Sequence, residues 1–463
     1  MTPSRQEVRI DAGAAGGRRM VGSVMRSRQD ATADRTAPTP ALNAEPLLPF
    51  DHLMLVDARP GHPMCFFTEC IVEGNLEEDR LRRAVHEAAR RHPRLRSRAA
   101  WRKGRPHWLA PDVEPAFVWL PGAGSDDPWR PVDVERESGV RVVALALGPQ
   151  RYAVVMVVHH AVCDGIAACE FMGDFWACYD GVEPAAISAT PPRAAAASEP
   201  KGRTTAADAV RESLAFARFF PTPLRVVPSA GREPAAAAPY ATLDFDAAFT
   251  SRLRAAAVAR NATVNDLVVA AVMRAALAWN DRAGARRGGV RVTMPVSTRA
   301  ARRRLPATNG ISYAFLDRSR DACRDRESLV QSLASASRWI LASGVVGGFL
   351  ETVRLLARSP RLLKAVTRLP ICISTVIVSN VGDVSRRMRA GVPTLDGRDA
   401  PGGLVIRGFR GVPPLRPRTR AAVGVLTYAG SMTLSCLCSA GPDPRRAGEE
   451  FLELIRGELT GWS

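Results

Sequence analysis

Residues 159–165 read His159-His160-Ala161-Val162-Cys163-Asp164-Gly165, and they follow the run Tyr152-Ala153-Val154-Val155-Met156-Val157-Val158. The run has the β-branched, apolar composition and the length of a buried strand. The residues after it bend and enter a helix-like stretch over 166–179. The two histidines therefore stand at the mouth of a sheet. A histidine at a strand end, packed behind and open in front, is well placed as a general base. Imidazole titrates near neutrality, so it takes a proton and returns it within one cycle. Neighbouring strand residues point to opposite faces, so one histidine faces a cavity and the other the interior. The competing reading is a metal site built from His159, His160 and Asp164. Diverging side chains and the lack of a second ligand cluster stand against it. All seven histidines (His52, His62, His86, His92, His107, His159 and His160) lie in the first 160 residues, so a histidine base comes from the N-terminal half.

The formal net charge is +18, but only three of the basic residues are lysines (Lys103, Lys201 and Lys364). The arginines are scattered rather than aligned, and no nucleic-acid motif accompanies them, so nucleic acid is not expected as a partner. A basic surface still suits acidic partners such as the phosphates of CoA, a carrier protein or anionic lipid. The nine cysteines form no CxxC pair and show no metal-ligand spacing. Their odd number suits a reducing cytoplasm. The charged N-terminus lacks the apolar core of a signal peptide, and no apolar stretch is long enough to cross a bilayer.

Residues 1–43 lack periodicity and read as a disordered leader. Residues 44–185 form a first αβ lobe, with an amphipathic helix over 81–92 and strands over 141–147 and 151–158 joined by Gly148-Pro149-Gln150. An Ala/Pro-rich linker spans 186–238, with a helix-like segment over 206–220. A second lobe spans 239–463. Its expected helices cover 251–260, 264–280 (capped by Thr263), 328–343, 349–357 and 448–459. Its expected strands cover 241–245, 291–296, 371–379, 404–407, 421–428 and 432–438.

The string His159–Gly165 resembles the HHxxxDG signature of the condensation-domain acyltransferase superfamily. That superfamily holds the condensation domains of nonribosomal peptide synthetases, plant alcohol acyltransferases, wax ester and diacylglycerol synthases and mycocerosyl transferases. It is related in fold to chloramphenicol acetyltransferase. Further elements carry the resemblance. Pro46-Leu47-Leu48-Pro49-Phe50-Asp51 is similar to the "PLSPLD" opening. Glu73-Gly74-Asn75-Leu76 with Leu81, Ala84 and Val85, and then His92-Pro93-Arg94-Leu95-Arg96, are similar to the first strand, first helix and "RHPxLR" helix end. Met294-Pro295-Val296-Ser297-Thr298-Arg299 is similar to "PVxxR", and Val378-Ser379-Asn380-Val381-Gly382 to "SNxG". The match runs in order over about residues 45–460.

The resemblance implies an α/β fold of two chloramphenicol-acetyltransferase-like lobes with a channel between them. It implies a stand-alone acyltransferase of lipid or secondary metabolism, using no cofactor. The acyl group would pass from a thioester, on CoA or an acyl carrier protein, to an alcohol, or less readily to an amine. His160 would be the base, with His159 turned inward to hold the turn. Asp164 would pair bidentately with Arg299 across the lobes, and Gly165 would meet a conformation or close approach closed to other residues. Asn309 is either a channel residue or half of an ordinary Asn-Gly turn. Cys163 has no assignable activating partner and reads as structural. No GxSxG nucleophile elbow occurs. The plant "DFGWG" and wax-ester-synthase "NVPGP" strings are absent, which moves the chain away from those groups. Gly408-Phe409-Arg410-Gly411 is too degenerate for the first, and Ser379-Asn380-Val381-Gly382-Asp383 stands in place of the second. The rivals are a free-standing peptide condensation enzyme and a non-catalytic docking module. Over 344–370, apolar residues alternate with Arg354, Arg358, Arg361, Lys364 and Arg368. That pattern suits either a packed helix pair with its cations in water or a peripheral contact with an anionic membrane.

Overall fold

The computed structural model describes residues 44–122, 127–188, 239–285, 288–299, 304–343, 345–439 and 443–463. The expected leader, nearly all of the linker and the helix over 206–220 lie outside the described residues. In chain order the first half holds β1 (Glu45–Pro46), α1 (Pro49–Asp57), β2 (Cys65–Glu73), α2 (Glu78–Arg90), β3 (Ala99–Arg102), β4 (Arg105–Trp108), β5 (Ala116–Leu120), β6 (Val140–Gly148), β7 (Arg151–His159) and α3 (Gly165–Asp180). The second half opens with β8 (Ala241–Phe245), α4 (Ala247–Ala259), α5 (Val264–Arg282), β9 (Val290–Ser297) and β10 (Ile311–Arg318). It continues through α6 (Arg326–Ser343), α7 (Val346–Ala357), α8 (Pro360–Arg368), β11 (Val376–Asp383), α9 (Val384–Met388), β12 (Thr394–Leu395) and β13 (Arg398–Asp399). It ends with β14 (Val405–Val412), β15 (Ala421–Tyr428), β16 (Ser431–Cys438) and α10 (Pro444–Thr460).

Two main sheets result, one for each lobe of an α/β fold. The first has the order β14-β2-β7-β6-β5 and the second β10-β9-β11-β15-β16-β8. Strand β7 lies in the middle of the first sheet, and its apolar run is buried on both faces. Val154, Met156 and Val158 join the core beneath α2 and α3, whereas Ala153, Val155 and Val157 join a seam that also holds Ile377, Ala422 and Leu437 of the second sheet. A third cluster fills the second lobe between its sheet and the helices α4, α5, α6 and α10. Helix α5 begins with the capping box that Thr263 suggests: Thr263 Oγ1 accepts from the Asp266 amide, and Asp266 Oδ2 accepts from the Thr263 amide.

Strand β14 departs from the sequence reading in two ways. It extends to Val412 rather than ending at residue 407, and it pairs with β2 of the first sheet. Alternation marks a strand but does not say which sheet edge it joins. Strand β11 begins at Val376 rather than at residue 371. Ser374 Oγ donates to the Val376 carbonyl and holds the preceding residues as a loop.

Because β14 crosses over, the two sheets touch where β14 faces β15. A Cβ at Gly424 would collide with the Gly411 carbonyl, so only glycine permits this approach. Gly424→Ala should destabilise the fold by about 1–3 kcal/mol through overpacking. Urea unfolding measures it, and an unchanged midpoint would show that the sheets are not held this closely.

Residues 345–370 pack largely as scaffold. Phe349, Leu350 and Leu356 lie against the first-lobe core, and Val353 and Leu363 are buried. Leu362 stays 51% exposed, as do Leu369 at 51% and Ile371 at 54% just beyond α8. Among the described residues no single helix is long and apolar enough to cross a membrane.

Candidate active site

The histidine pair is set by the end of β7. The His159 amide donates to the Gly139 carbonyl, and the His160 amide to the Met64 carbonyl, each at 2.9 Å. His159 turns inward and its Nδ1 accepts from the Ala161 amide at 3.2 Å, which pins the turn. Burial, and after it the neighbouring His160, lowers the His159 pKa to about 3, so the ring is neutral. His160 turns the other way, with Phe50 and Phe66 edge-on at 5.6 and 5.3 Å between centroids. Its Nδ1 is sealed inside without a hydrogen bond of normal geometry. Nε2 is thus the nitrogen left for the cavity.

His160 lines two cavities. The larger, about 360 Å³, also has walls from Met294, Tyr313 and Asn380 of the second half. The smaller, about 40 Å³, lies toward Phe66, Thr68, Gly424 and Leu426. His160, Gly165, Ser379, Val381, Pro413 and Pro414 are common to both, so the imidazole stands at a junction between them. Burial holds His160 below the usual histidine pKa. The Asp164 charge opposes the shift, and so do the main chain of His160 and Cys163 and the Asn309 side chain. The ring is neutral at neutral pH, the form a base needs.

Asp164 does not orient the imidazole. Its Oδ1 accepts from the Ile166 and Ala167 amides and caps α3. Its Oδ2 accepts from Arg299 Nη1 at 2.6 Å and from the Gly310 amide at 2.7 Å. The ion pair is nearly sealed from water, with side-chain exposures of 8% for Arg299 and 2% for Asp164. Burial works against the Arg299 charge, yet the carboxylate outweighs it and holds the guanidinium above its ordinary pKa. The pair is not bidentate as expected, because the helix cap takes the second oxygen. The remaining Arg299 nitrogen, Nη2, donates to the Thr308 carbonyl at 2.7 Å. A Cβ at Gly310 would meet the Arg299 side chain at 2.8 Å, so glycine there lets the guanidinium lie flat across the strand.

Asn309 is no turn residue and lines neither cavity. It is buried behind the histidine. Its Nδ2 donates to Asp51 Oδ1 at 2.9 Å and to the His160 carbonyl at 2.8 Å. Asp51 in turn accepts from Arg94 Nη1 at 2.7 Å and from Trp108 Nε1 at 3.4 Å. Burial pushes the Asp51 carboxyl up, while Arg94, Asn309 and Trp108 oppose it. The sequence reading quoted Asp51 and Arg94 within motifs without assigning either a partner. It also missed a second tie between the halves. Asp174 on α3 accepts from His92 Nε2 at 3.0 Å, from Arg91 and, at short range, from Arg304, whose position shortly after Arg299 was the available signal.

Gly165 needs neither expected explanation. Its φ is not positive, and an added Cβ would meet only Val381, at 3.5 Å. It lines both cavities, so a side chain there would stand in the passage. Cys163 is buried, and burial raises its pKa well above the usual thiol value, so it is a protonated core residue. Among the described residues no group of three or more His, Cys, Asp or Glu side chains is arranged to hold a metal ion.

No protein-family model matches the sequence, and no curated protein matches it. Solved structures do share its fold. The first condensation domain of the CDA synthetase is 18% identical, covering 90% of this chain and 96% of that one, with a TM-score of 0.64. The starter condensation domain of rhizomide synthetase, solved with C8-CoA and Leu-SNAC, is 14% identical over 90% and 94%, with a TM-score of 0.62. A trichothecene 15-O-acetyltransferase from Fusarium sporotrichioides is 10% identical over 90% and 95%, with a TM-score of 0.64. The fold is thus that of condensation domains and chloramphenicol-acetyltransferase-like enzymes.

Proposed function

We propose that this chain is an acyltransferase. It moves an acyl group from a CoA or carrier-protein thioester to an alcohol, with an amine as the less favoured acceptor. The observation that carries this reading is a neutral histidine that borders a cavity of about 360 Å³, with a second, smaller opening beside it. The acceptor O–H gives its proton to His160 Nε2 while the oxygen attacks the thioester carbonyl carbon. The carbonyl π electrons move to oxygen and return as the C–S bond breaks. The imidazolium proton then passes to the leaving thiolate, so ester and thiol are formed and the base is restored. No acyl-enzyme is needed. The Gly165 amide, at the first turn of α3 and outside the Asp164 cap, supplies a donor for the transient oxyanion at the positive end of the helix.

Two of the solved folds support the reading in their own names: one was solved with C8-CoA, and another is an O-acetyltransferase. The test is thiol release by the purified chain with acyl-CoA donors of graded length and a panel of alcohols and amines. If no pair releases thiol above the His160→Ala background, the docking-module reading replaces this one.

The pH profile is a second check. The base acts when neutral, and burial lowers its pKa below 6.5. kcat/KM should therefore be flat through neutral pH and fall toward acid only below 6.5. An acidic limb centred above that value would contradict a buried, neutral base.

A further inference from the structure

We propose that Arg59, Arg368, Arg416 and Arg418 form a binding site for a phosphoester group, beside the two cavities at His160. These residues line a third cavity of about 450 Å³, between the end of α1, the end of α8 and the loop that leads into β15. No acidic side chain lines it. The nearest neutralising group is Asp57, fully buried behind the wall, with Oδ1 to Arg59 at 3.2 Å and Oδ2 to Arg416 at short range. One carboxylate thus serves two guanidinium groups. Among the described residues, no carboxylate lies within ion-pair distance of Arg368 or Arg418.

Arg59, Arg368 and Arg416 are held in place by hydrogen bonds or an ion pair. Arg59 Nη2 donates to the Thr367 carbonyl at 2.8 Å, and Arg368 Nη2 to the Ala58 carbonyl at 3.2 Å. Arg418 stands exposed at a φ of +61°, a conformation that a side chain of its size rarely adopts and that costs free energy. Burial depresses the Arg59 pKa; Asp57 opposes the shift, whereas the charges of Arg368 and Arg416 add to it. The charges of Arg368 and Arg416 therefore repel that of Arg59, and a bound anion would relieve that repulsion. Planar guanidinium forks match phosphate oxygens bidentately.

The rim narrows the ligand class. Leu369 and Ile371 line the same cavity and are more than half exposed. A phosphate joined to an organic substituent uses both surfaces, whereas a bare ion uses one. Arg416 also lines the larger cavity at His160, so the two sites adjoin. The phosphoester has two sources, CoA and the headgroup of an anionic lipid. The inference does not depend on the acyl-transfer reading, since it stands on side chains that the acyl-transfer steps do not use.

Equilibrium binding to the full chain tests it. The probes are CoA, inorganic phosphate, and phosphatidylcholine vesicles with and without phosphatidylglycerol, at low and high salt. CoA or the phosphatidylglycerol vesicles should bind, and salt should weaken the binding. Arg368→Ser with Arg418→Ser should weaken it roughly tenfold or more. Neither residue has a carboxylate partner, but Arg368 gives up its bonds to the Val56 and Ala58 carbonyls, so binding is read well below the variant's own melting temperature. Leu369→Ser with Ile371→Ser should weaken binding of whichever organic phosphoester the wild type takes, and comparing CoA with the phosphatidylglycerol vesicles separates the two sources. Binding of inorganic phosphate alone, no binding of any probe, or wild-type affinity in the arginine variant would each overturn the site. His160→Ala should bind as wild type does. Phosphoester binding without acyl transfer would remove the proposed function and leave this site standing.

Discussion

Replacing His160 with alanine will lower acyl transfer by about 10²–10⁴-fold, the usual contribution of a positioned general base. The fold should survive the change. The imidazole packs edge-on between Phe50 and Phe66 and borders open space, and its sealed Nδ1 has no hydrogen bond of normal geometry to lose. Lost packing is thus partly offset by removal of an unpartnered polar atom. Thiol release under saturating donor gives the rate, and the urea midpoint gives the stability. A fall in rate that tracks unfolding would make the residue structural, and near-wild-type turnover would end the histidine mechanism. His160→Gln fills the space without supplying a base, so it should be as slow as alanine.

Breaking the Asp164–Arg299 pair will cost stability on the order of 3–5 kcal/mol for either single alanine variant. Each leaves the partner charge buried and uncompensated. The double variant removes both charges and should cost clearly less than the sum, with a coupling of about 0.5–3 kcal/mol. It will not return to wild type, because Asp164 also caps α3 and holds the Gly310 amide. Loss of the cap alone costs about 1 kcal/mol. Asp164→Asn separates the contributions, since asparagine keeps a capping oxygen and loses the charge. Urea unfolding of the set decides the matter. Strict additivity would mean that the two side chains do not act on each other.

Much of the local chemistry was legible in the residues. The unbroken apolar run before His159 marked a strand buried on both faces, and β7 is buried that way against two separate clusters. The alternation rule placed His159 and His160 on opposite faces, as the Ala161 bond to one ring and the cavity at the other display. Thr263 announced the start of α5 because a capping box is a local bond pattern, formed within four residues. Other features lay beyond local reading. Asn309-Gly310 has turn composition, yet it opens a strand because Asp51 draws the amide inward and Arg299 lies across the glycine. Gly165 invited a backbone explanation that its φ does not require.

By itself the sequence determined many of the strands and helices, β7 and α5 among them, and that any histidine base would come from the first half; it left α1, β3, β4, β5 and β10 unassigned. These follow from side-chain periodicity and from bonds between residues close in the chain. Only the tertiary structure decided that β14 belongs to the first sheet, that Gly411 and Gly424 bring the sheets together, and that Asp51 stands behind His160 through Asn309. It alone gathered Arg59, Arg368, Arg416 and Arg418 around one cavity. The reason is physical. Burial, charge compensation and close approach depend on which strands and loops the fold brings together, and nothing in the local pattern of a single chain says which segment supplies the partner.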